Sequence, residues 1–149
     1  MKAVFKNFFR DVLTALAKRK LMQVRPRIVG ITGSVGKTST KESIASVLER
    51  RFKIVKSQKN YNTEYGAILT ILDQTGGGSS WSKWGKVLIE SLKSALKKPD
   101  PYDVLVIEMG VDKPGDMSEI LKIFSPDVMV FLNVKDVHRA EGQFPNREA

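Results

Sequence analysis

The chain of 149 residues contains no cysteine and only one histidine, and these shortages exclude several classes of site. Without cysteine there is no disulfide scaffold, no thiolate nucleophile and no zinc or iron–sulfur site held by thiolates. The longest clean apolar run is Val128–Leu132, far short of the roughly 20 residues that a membrane-spanning helix needs. No secretory signal is evident, because polar and charged residues interrupt the apolar ones near the start. We therefore expect a cytoplasmic protein.

Acidic residues are scarce at the start of the chain, so the positive charge is concentrated there. The formal net charge is +9, and residues 1–27, with eight Lys or Arg and one Asp, account for +7 of it. A protein that binds nucleic acid with its whole domain spreads basic residues over that domain, so no nucleic acid is expected as a partner. Two tryptophans beside lysines could suggest base stacking, but their helical spacing favours packing instead.

Residues 2–20 have the spacing of an amphipathic helix. Apolar residues recur near the helical period and include Phe8, Phe9, Val12 and Leu16. Two roles are open: the helix packs on the domain with its charges in solvent, or it lies on an anionic membrane or a partner protein. Because Pro26 ends the segment, we divide the chain into residues 1–26, a basic helix and linker, and residues 27–149.

Short apolar runs alternate with helical segments in the rest of the chain. The predicted strands are Arg27–Thr32, Lys53–Lys56, Asp103–Glu108 and Asp127–Asn133. The predicted helices are Lys37–Arg51, Ala67–Leu72, Trp81–Lys98 and Asp116–Phe124. The last two strands are apolar on both faces, which is typical of buried parallel strands. The alternation predicts an α/β fold of the P-loop type, with a mostly parallel sheet flanked by helices.

The most informative chemical pattern lies between the first of these strands and the helix that follows it. Its residues are Thr32, Gly33, Ser34, Val35, Gly36, Lys37, Thr38 and Ser39. The glycines let the backbone turn tightly around phosphate oxygens, and the helix points its positive end at the same anion. The lysine would hold the terminal phosphates, and the threonine hydroxyl would ligate Mg²⁺. Ser39 could reinforce the metal site or cap the helix.

This segment matches the Walker A pattern only in its second half, because Ile31 stands where the pattern has glycine. The alternative is a glycine turn that caps a helix and binds nothing. The Gly-Lys-Thr triplet at a strand-to-helix turn favours nucleotide binding over that alternative.

Glu108 and His138 are predicted to lie at the same edge of the sheet as this loop. Each follows a predicted strand, and ligands of open α/β sheets bind at the carboxyl ends of the strands. Glu108 and Thr38 could then share one Mg²⁺, for which carboxylate and hydroxyl oxygens are suitable ligands. The alternative for Glu108 is a carboxylate exposed at the strand end. For His138 a functional role and an ordinary surface or core position remain equally open.

Four stretches, in order, resemble the Mur ligase family, and most closely its branch that adds D-alanyl-D-alanine to the UDP-N-acetylmuramoyl tripeptide. They are Ile31–Glu42, Lys59–Gly66, Leu105–Gly110 with Lys113–Asp116, and Ser125–His138. The resemblance implies an ATP-binding central domain over residues 27–149. It also implies an ATP-dependent amide ligase of peptidoglycan precursor synthesis, which activates a carboxylate as an acyl phosphate for attack by an amine.

The resemblance also implies roles for individual residues. Lys37 would hold and polarise the terminal phosphates, and Thr38 and Glu108 would bind a first magnesium ion. His138 would bind a second. The implied cofactors are ATP and Mg²⁺, and the implied partners are a UDP-muramoyl-peptide substrate and an amino acid or dipeptide.

A polar stretch matches the asparagine-rich loop of the family near the phosphates. It places Asn60 and Asn62 there, although asparagine also forms turns readily. The chain departs from the family at Val35 and Thr63, where asparagine is common. The substrate-binding domains of the family are not found in the sequence, so we expect a truncated chain that is inactive alone. A folylpolyglutamate-synthase-like ligase and a nucleotide-binding module without ligase activity remain alternatives.

Overall fold

The computed structural model describes residues 2–58, 61–78 and 80–133, and it has an α/β architecture. The helices of this part are α1 (Lys2–Val24), α2 (Lys37–Leu48), α3 (Glu64–Leu72), α4 (Trp81–Leu96) and α5 (Asp116–Leu121). The strands are β1 (Arg27–Thr32), β2 (Ile54–Lys56), β3 (Val104–Glu108) and β4 (Val128–Phe131). Each predicted strand and helix is therefore present, with boundaries that differ by a few residues.

The four strands form one parallel sheet in the order β2-β3-β1-β4. β1 lies between β3 and β4, with Ile28 opposite Leu105 and Gly30 opposite Met129. β3 is buried along its whole length, as a strand that is apolar on both faces should be. The predicted α/β fold with a parallel sheet flanked by helices is confirmed.

β4 differs from the prediction in its burial. The sequence predicts a strand buried on both faces over Asp127–Asn133, and this is wrong, because Val128 and Phe131 are 54% and 73% exposed. The reason is the place of the strand, since in the described sheet β4 pairs with β1 alone. An apolar run does not by itself distinguish an edge strand from a central one.

Apolar side chains form two clusters, one on each face of the sheet. The larger cluster joins α1, α3, α4 and α5 to one face and includes Leu13, Ile68, Val87, Leu105 and Ile120. The smaller cluster lies between α2 and the other face and includes Ile31, Val104, Val106, Ile44 and Leu48. The alternation of β3 side chains between the two clusters is what fixes α2 on the face opposite to the other helices.

The N-terminal helix α1 is part of the larger core. Leu13 and Ala17 are fully buried, and the helix packs against α3 and α4. Phe9 meets the ring of Trp84 edge-on at a centroid distance of 5.7 Å, and Tyr65 reaches the same ring at 6.1 Å. The packing role predicted for this helix is confirmed, and contact with a membrane or partner stays a prediction. Within the described ranges, no helix has the length and hydrophobicity of a membrane span.

Candidate nucleotide site

The glycine loop connects β1 to α2 at the carboxyl edge of the sheet. Gly33 has a φ of 137°, and a Cβ there would lie 2.7 Å from Cβ of Leu132, so only glycine fits. Gly36, with a φ of 91°, is the N-cap of α2, Ser39 lies inside the helix, and in the described part of the chain no side chain makes a capping hydrogen bond there. The suggestion that Ser39 caps α2 is therefore wrong. Backbone N–H groups at an uncapped helix start are the arrangement that binds phosphate.

Lys37 folds back over this loop. Its ammonium donates a hydrogen bond to the carbonyl oxygen of Gly33 and lies 3.5 Å from that of Ser34. The loop is fixed from the other side, because the Ser34 N–H donates to the carbonyl of Asn133 across 3.0 Å. Val35 is exposed at the loop. In the described residues the hydrogen bonds of this ammonium go to loop carbonyls, and it can exchange them for phosphate oxygens, which form the stronger charge-assisted bonds.

Thr38 and Glu108 meet beside the loop, although 70 positions separate them in the sequence. The Thr38 hydroxyl donates to Oε2 of Glu108 across 3.1 Å. The contact arises because β3 pairs directly with β1, which brings the end of β3 next to the start of α2. Glu108 is only 4% exposed, so the alternative of a carboxylate open to solvent is wrong.

The second partner of Glu108 is Lys41, which the sequence reasoning did not assign to the site. Lys41 Nζ lies 3.0 Å from Oε1 of Glu108 and donates to the carbonyl of Ser57 across 2.6 Å. Its side chain is completely buried. The contact with Oε1 has the distance of an ion pair but not hydrogen-bond geometry, so in the described residues Oε1 has no hydrogen-bond donor. Ser57 also holds β3 in place, because its hydroxyl accepts from the Glu108 N–H across 3.1 Å.

Lys41 joins Glu108 to a chain of alternating charges that leads to the surface. Oε1 of Glu42 lies 3.3 Å from Lys41 Nζ, and Oε2 of Glu42 accepts from Lys56 across 2.7 Å. The hydrogen bond from Lys56 is the main cause that lowers the pKa of Glu42, and Lys41 adds to it. The carboxylate that faces the loop and the surface lysine Lys56 thus belong to one electrostatic network.

The oxygens of Thr38 and Glu108 fit a magnesium ion in kind. Hydroxyl and carboxylate oxygens are hard ligands, and Mg²⁺ in nucleotide sites takes one or two of them together with phosphate oxygens and waters. Oε2 of Glu108 accepts from the neutral Thr38 hydroxyl beside the loop, and a carboxylate oxygen can accept more than one such contact, so it keeps room for a cation. In the part of the chain that the structure describes, no group of three or more His, Asp or Glu side chains is arranged to hold a metal ion. The ion would therefore depend on the nucleotide for most of its ligands.

The remaining predicted site residues lie partly outside this geometry. Asn60 and His138 lie outside the described residues. The Asn62 carbonyl accepts a hydrogen bond from the Gly110 N–H across 2.6 Å. Because Gly110 follows Glu108 by two residues, this contact places Asn62 at the same edge of the sheet. Thr32 is buried at the end of β1. The structure thus brings the loop, Thr38 and Glu108 together.

Known proteins are similar to this chain in both sequence and fold. The Mur ligase middle domain family matches residues 31–148. The UDP-N-acetylmuramoyl-tripeptide–D-alanyl-D-alanine ligase of Bacillus subtilis is 30% identical over 131 residues, which are 86% of this chain and 23% of that protein. The ligase of the same name from Mycobacterium leprae is 33% identical over 144 residues, which are 93% of this chain and again 23% of that protein.

Two solved structures agree with this likeness. The MurF ligase from Thermotoga maritima in complex with ADP has a TM-score of 0.67 at 34% identity, covering 93% of this chain and 26% of that one. MurF from Acinetobacter baumannii has a TM-score of 0.68 at 25% identity, with 93% and 25% covered. The chain spans about a quarter of the length of the relatives that it matches.

Proposed function

We infer the function of this chain from the premise that it belongs to the Mur ligase middle domain family. We propose that it is the ATP-binding part of a magnesium-dependent amide ligase of peptidoglycan precursor synthesis. The observation that carries the proposal is the 3.1 Å contact between Thr38 Oγ1 and Glu108 Oε2 beside the uncapped start of α2. The relatives are named for a UDP-muramoyl tripeptide and D-alanyl-D-alanine, so we propose these as the substrates of the whole ligase. The same relatives favour this branch over a folylpolyglutamate-synthase-like ligase.

In this proposal the residues of the chain bind and orient ATP. The backbone N–H groups of the glycine loop surround the phosphates, and the Lys37 ammonium moves from the Gly33 carbonyl to the terminal phosphate. Thr38 and Glu108 hold Mg²⁺, which supplies charge neutralisation when bound. The terminal phosphoryl group, oriented in this way, can pass to an oxygen of a substrate carboxylate while its bond to ADP breaks and ADP leaves. The resulting acyl phosphate is attacked by an amine, an amide forms and phosphate leaves.

We propose further roles for three residues at the same edge of the sheet. His138 would bind a second cation near the acceptor carboxylate, and Asn60 and Asn62 would line the phosphates. The hydrogen bond between Asn62 and Gly110 supports a place beside the site for this segment. We also propose that the ligase acts in the cytoplasm, because an ATP-dependent reaction and a chain without cysteine both suit that compartment.

The first test is nucleotide binding by residues 1–149, measured by isothermal titration calorimetry with magnesium. We expect ATP to bind, and we expect the folded Lys37→Met variant to bind it much more weakly. A wild-type chain that is folded by circular dichroism but does not bind ATP would contradict the nucleotide site itself.

The second test addresses ligation. A chimera is made in which the matching part of this chain replaces its counterpart in the Bacillus subtilis relative, an alignment of 131 residues. Phosphate release by the chimera is measured with a UDP-muramoyl tripeptide and D-alanyl-D-alanine. We expect release that requires both substrates, with the same chimera carrying Lys37→Met as the inactive control. A chimera that binds ATP but releases no phosphate would favour a nucleotide-binding module without ligase activity.

A further inference from the structure

Lys41 is a lysine in a place where lysine is normally absent. Its ammonium is completely buried, yet it is surrounded by three oxygens: the Ser57 carbonyl at 2.6 Å, Oε1 of Glu108 at 3.0 Å and Oε1 of Glu42 at 3.3 Å. Burial of an unpaired ammonium is costly, so each of these oxygens helps to keep the charge inside the protein. A methionine at this position would fill much of the same space without that cost. The charge of Lys41 therefore calls for an explanation beyond packing.

The two oxygens of the Glu108 carboxylate have different neighbours. Oε1 faces Lys41 in the interior, whereas Oε2 accepts from the Thr38 hydroxyl beside the glycine loop. The carboxylate therefore offers a single oxygen to a cation at the loop. The adjacent ammonium also cancels the negative charge that would attract such a cation.

We propose that Lys41 is a positioning residue that keeps the magnesium site from holding a cation until nucleotide phosphates arrive. The proposal rests on the proposed function of the site. A divalent cation beside Thr38 and Glu108 meets one carboxylate and one neutral hydroxyl, and the Lys41 ammonium compensates that carboxylate. Glu42, on the far side of Lys41, is itself paired with Lys56, so the site offers no net negative charge. A triphosphate brings several negative charges, so the ion and the nucleotide bind as one complex.

The expected effect of the Lys41 charge is large enough to measure. A unit charge a few ångströms away changes the affinity for a divalent cation roughly tenfold even in the dielectric of water, and more inside a protein. Removal of the ammonium should therefore create a cation site that needs no nucleotide. The Lys41→Arg variant, which keeps the charge, should behave like the wild type.

The test measures Mn²⁺ binding to residues 1–149 by electron paramagnetic resonance, with and without ATP. We expect wild-type protein to bind Mn²⁺ at least about a hundredfold more weakly without ATP than with it. Without ATP, Lys41→Met should bind Mn²⁺ at least about tenfold more tightly than wild type does. Lys56→Met is the matched control, because it removes the same charge from the same network without touching Glu108. That control should stay within about twofold of wild type.

Equal Mn²⁺ affinities of wild type and a folded Lys41→Met protein would overturn the proposal. If Lys41→Met does not fold, Lys41→Gln, a neutral side chain that can still donate hydrogen bonds, takes its place with the same expectation. Wild-type protein that binds Mn²⁺ as tightly without ATP as with it would also overturn the proposal, whatever the variants do. Loss of the proposed function itself is seen separately, since in that case wild-type protein binds no ATP at all.

Discussion

Lys37→Met and Thr38→Val change neighbouring residues of α2, and we expect them to weaken ATP binding in different ways. Both substitutions keep most of the side-chain volume. The Lys37 ammonium already reaches the mouth of the loop at the Gly33 carbonyl, so it would meet the phosphates directly. The Thr38 hydroxyl lies against Glu108, so it would act through the cation that this pair holds.

The size of each effect follows from these contacts. A hydrogen bond to a charged group contributes about 1.5–3 kcal/mol, which is roughly tenfold to a hundredfold in affinity. Because Lys37 must give up its bond to the Gly33 carbonyl, we expect a loss near the lower figure, about tenfold, with or without magnesium. Thr38→Val leaves the buried pair of Lys41 and Glu108 in place. It should cost about tenfold with magnesium and less than about twofold in EDTA.

The assay is calorimetric titration of ATP into wild type and both variants, each with magnesium and with EDTA. Circular dichroism melts show whether the variants are folded. An equal loss for Thr38→Val in the two conditions would remove its metal role. Unchanged affinity in Lys37→Met would refute the phosphate-loop interpretation, and with it the proposed ligase.

Three further predictions concern stability. Gly33→Ala should lower the free energy of unfolding by about 2–4 kcal/mol, because its φ is positive and its new Cβ would lie 2.7 Å from a neighbouring atom. Gly36→Ala, with a nearest contact of 3.7 Å, should lower it by only about 1–2 kcal/mol. Equal losses for the two variants in urea denaturation would contradict this reasoning. Asp127 accepts a 2.8 Å hydrogen bond from a β1 backbone N–H, which lowers its pKa. The stability that the ionised Asp127 adds is therefore fully present above its unfolded pKa of about 4 and is lost as the pH falls through its lower pKa in the folded protein. Asp127→Asn should flatten the acid side of a plot of Tm against pH. Parallel curves for wild type and this variant would contradict the prediction. Leu13→Ala should cost about 2–5 kcal/mol in urea denaturation, and the exposed Met22→Ala less than about 0.5 kcal/mol; similar values for both would mean that α1 is not part of the core.

The sheet and the glycine loop could be predicted because their signals are local. β3 is a short, continuous apolar run, which is typical of a strand inside a parallel sheet, so the strand itself could be predicted from the sequence. The residues Gly36, Lys37 and Thr38 stand between a strand and a helix, so the loop and its edge of the sheet could be placed without any tertiary information. The meeting of Thr38 and Glu108 was predicted from one further rule, that parallel strands end at the same edge.

The features that the sequence did not predict depend on contacts between distant segments. The exposure of β4 depends on its place in the strand order, which an apolar run does not contain. Lys41 was not assigned to the site because its partners Ser57 and Glu108 come from two other strand ends. A signal was nevertheless present: Lys41 lies three and four residues before Ile44 and Ala45, on the face of α2 that packs on the sheet.

The aromatic contacts of Trp84 have a consequence for spectroscopy. The ring, on α4, touches Phe9 of α1 and Tyr65 of α3, and its indole N–H donates to the Gly78 carbonyl across 3.0 Å. Because rings from α1 and α3 both pack on this one indole, separation of either helix from α4 exposes more of the indole to water. The loop at Gly33 leads into α2 on the opposite face of the sheet. Fluorescence from Trp84 therefore reports whether the N-terminal helix is docked, and Trp84 lies on the face of the sheet opposite to the helix that follows the nucleotide loop.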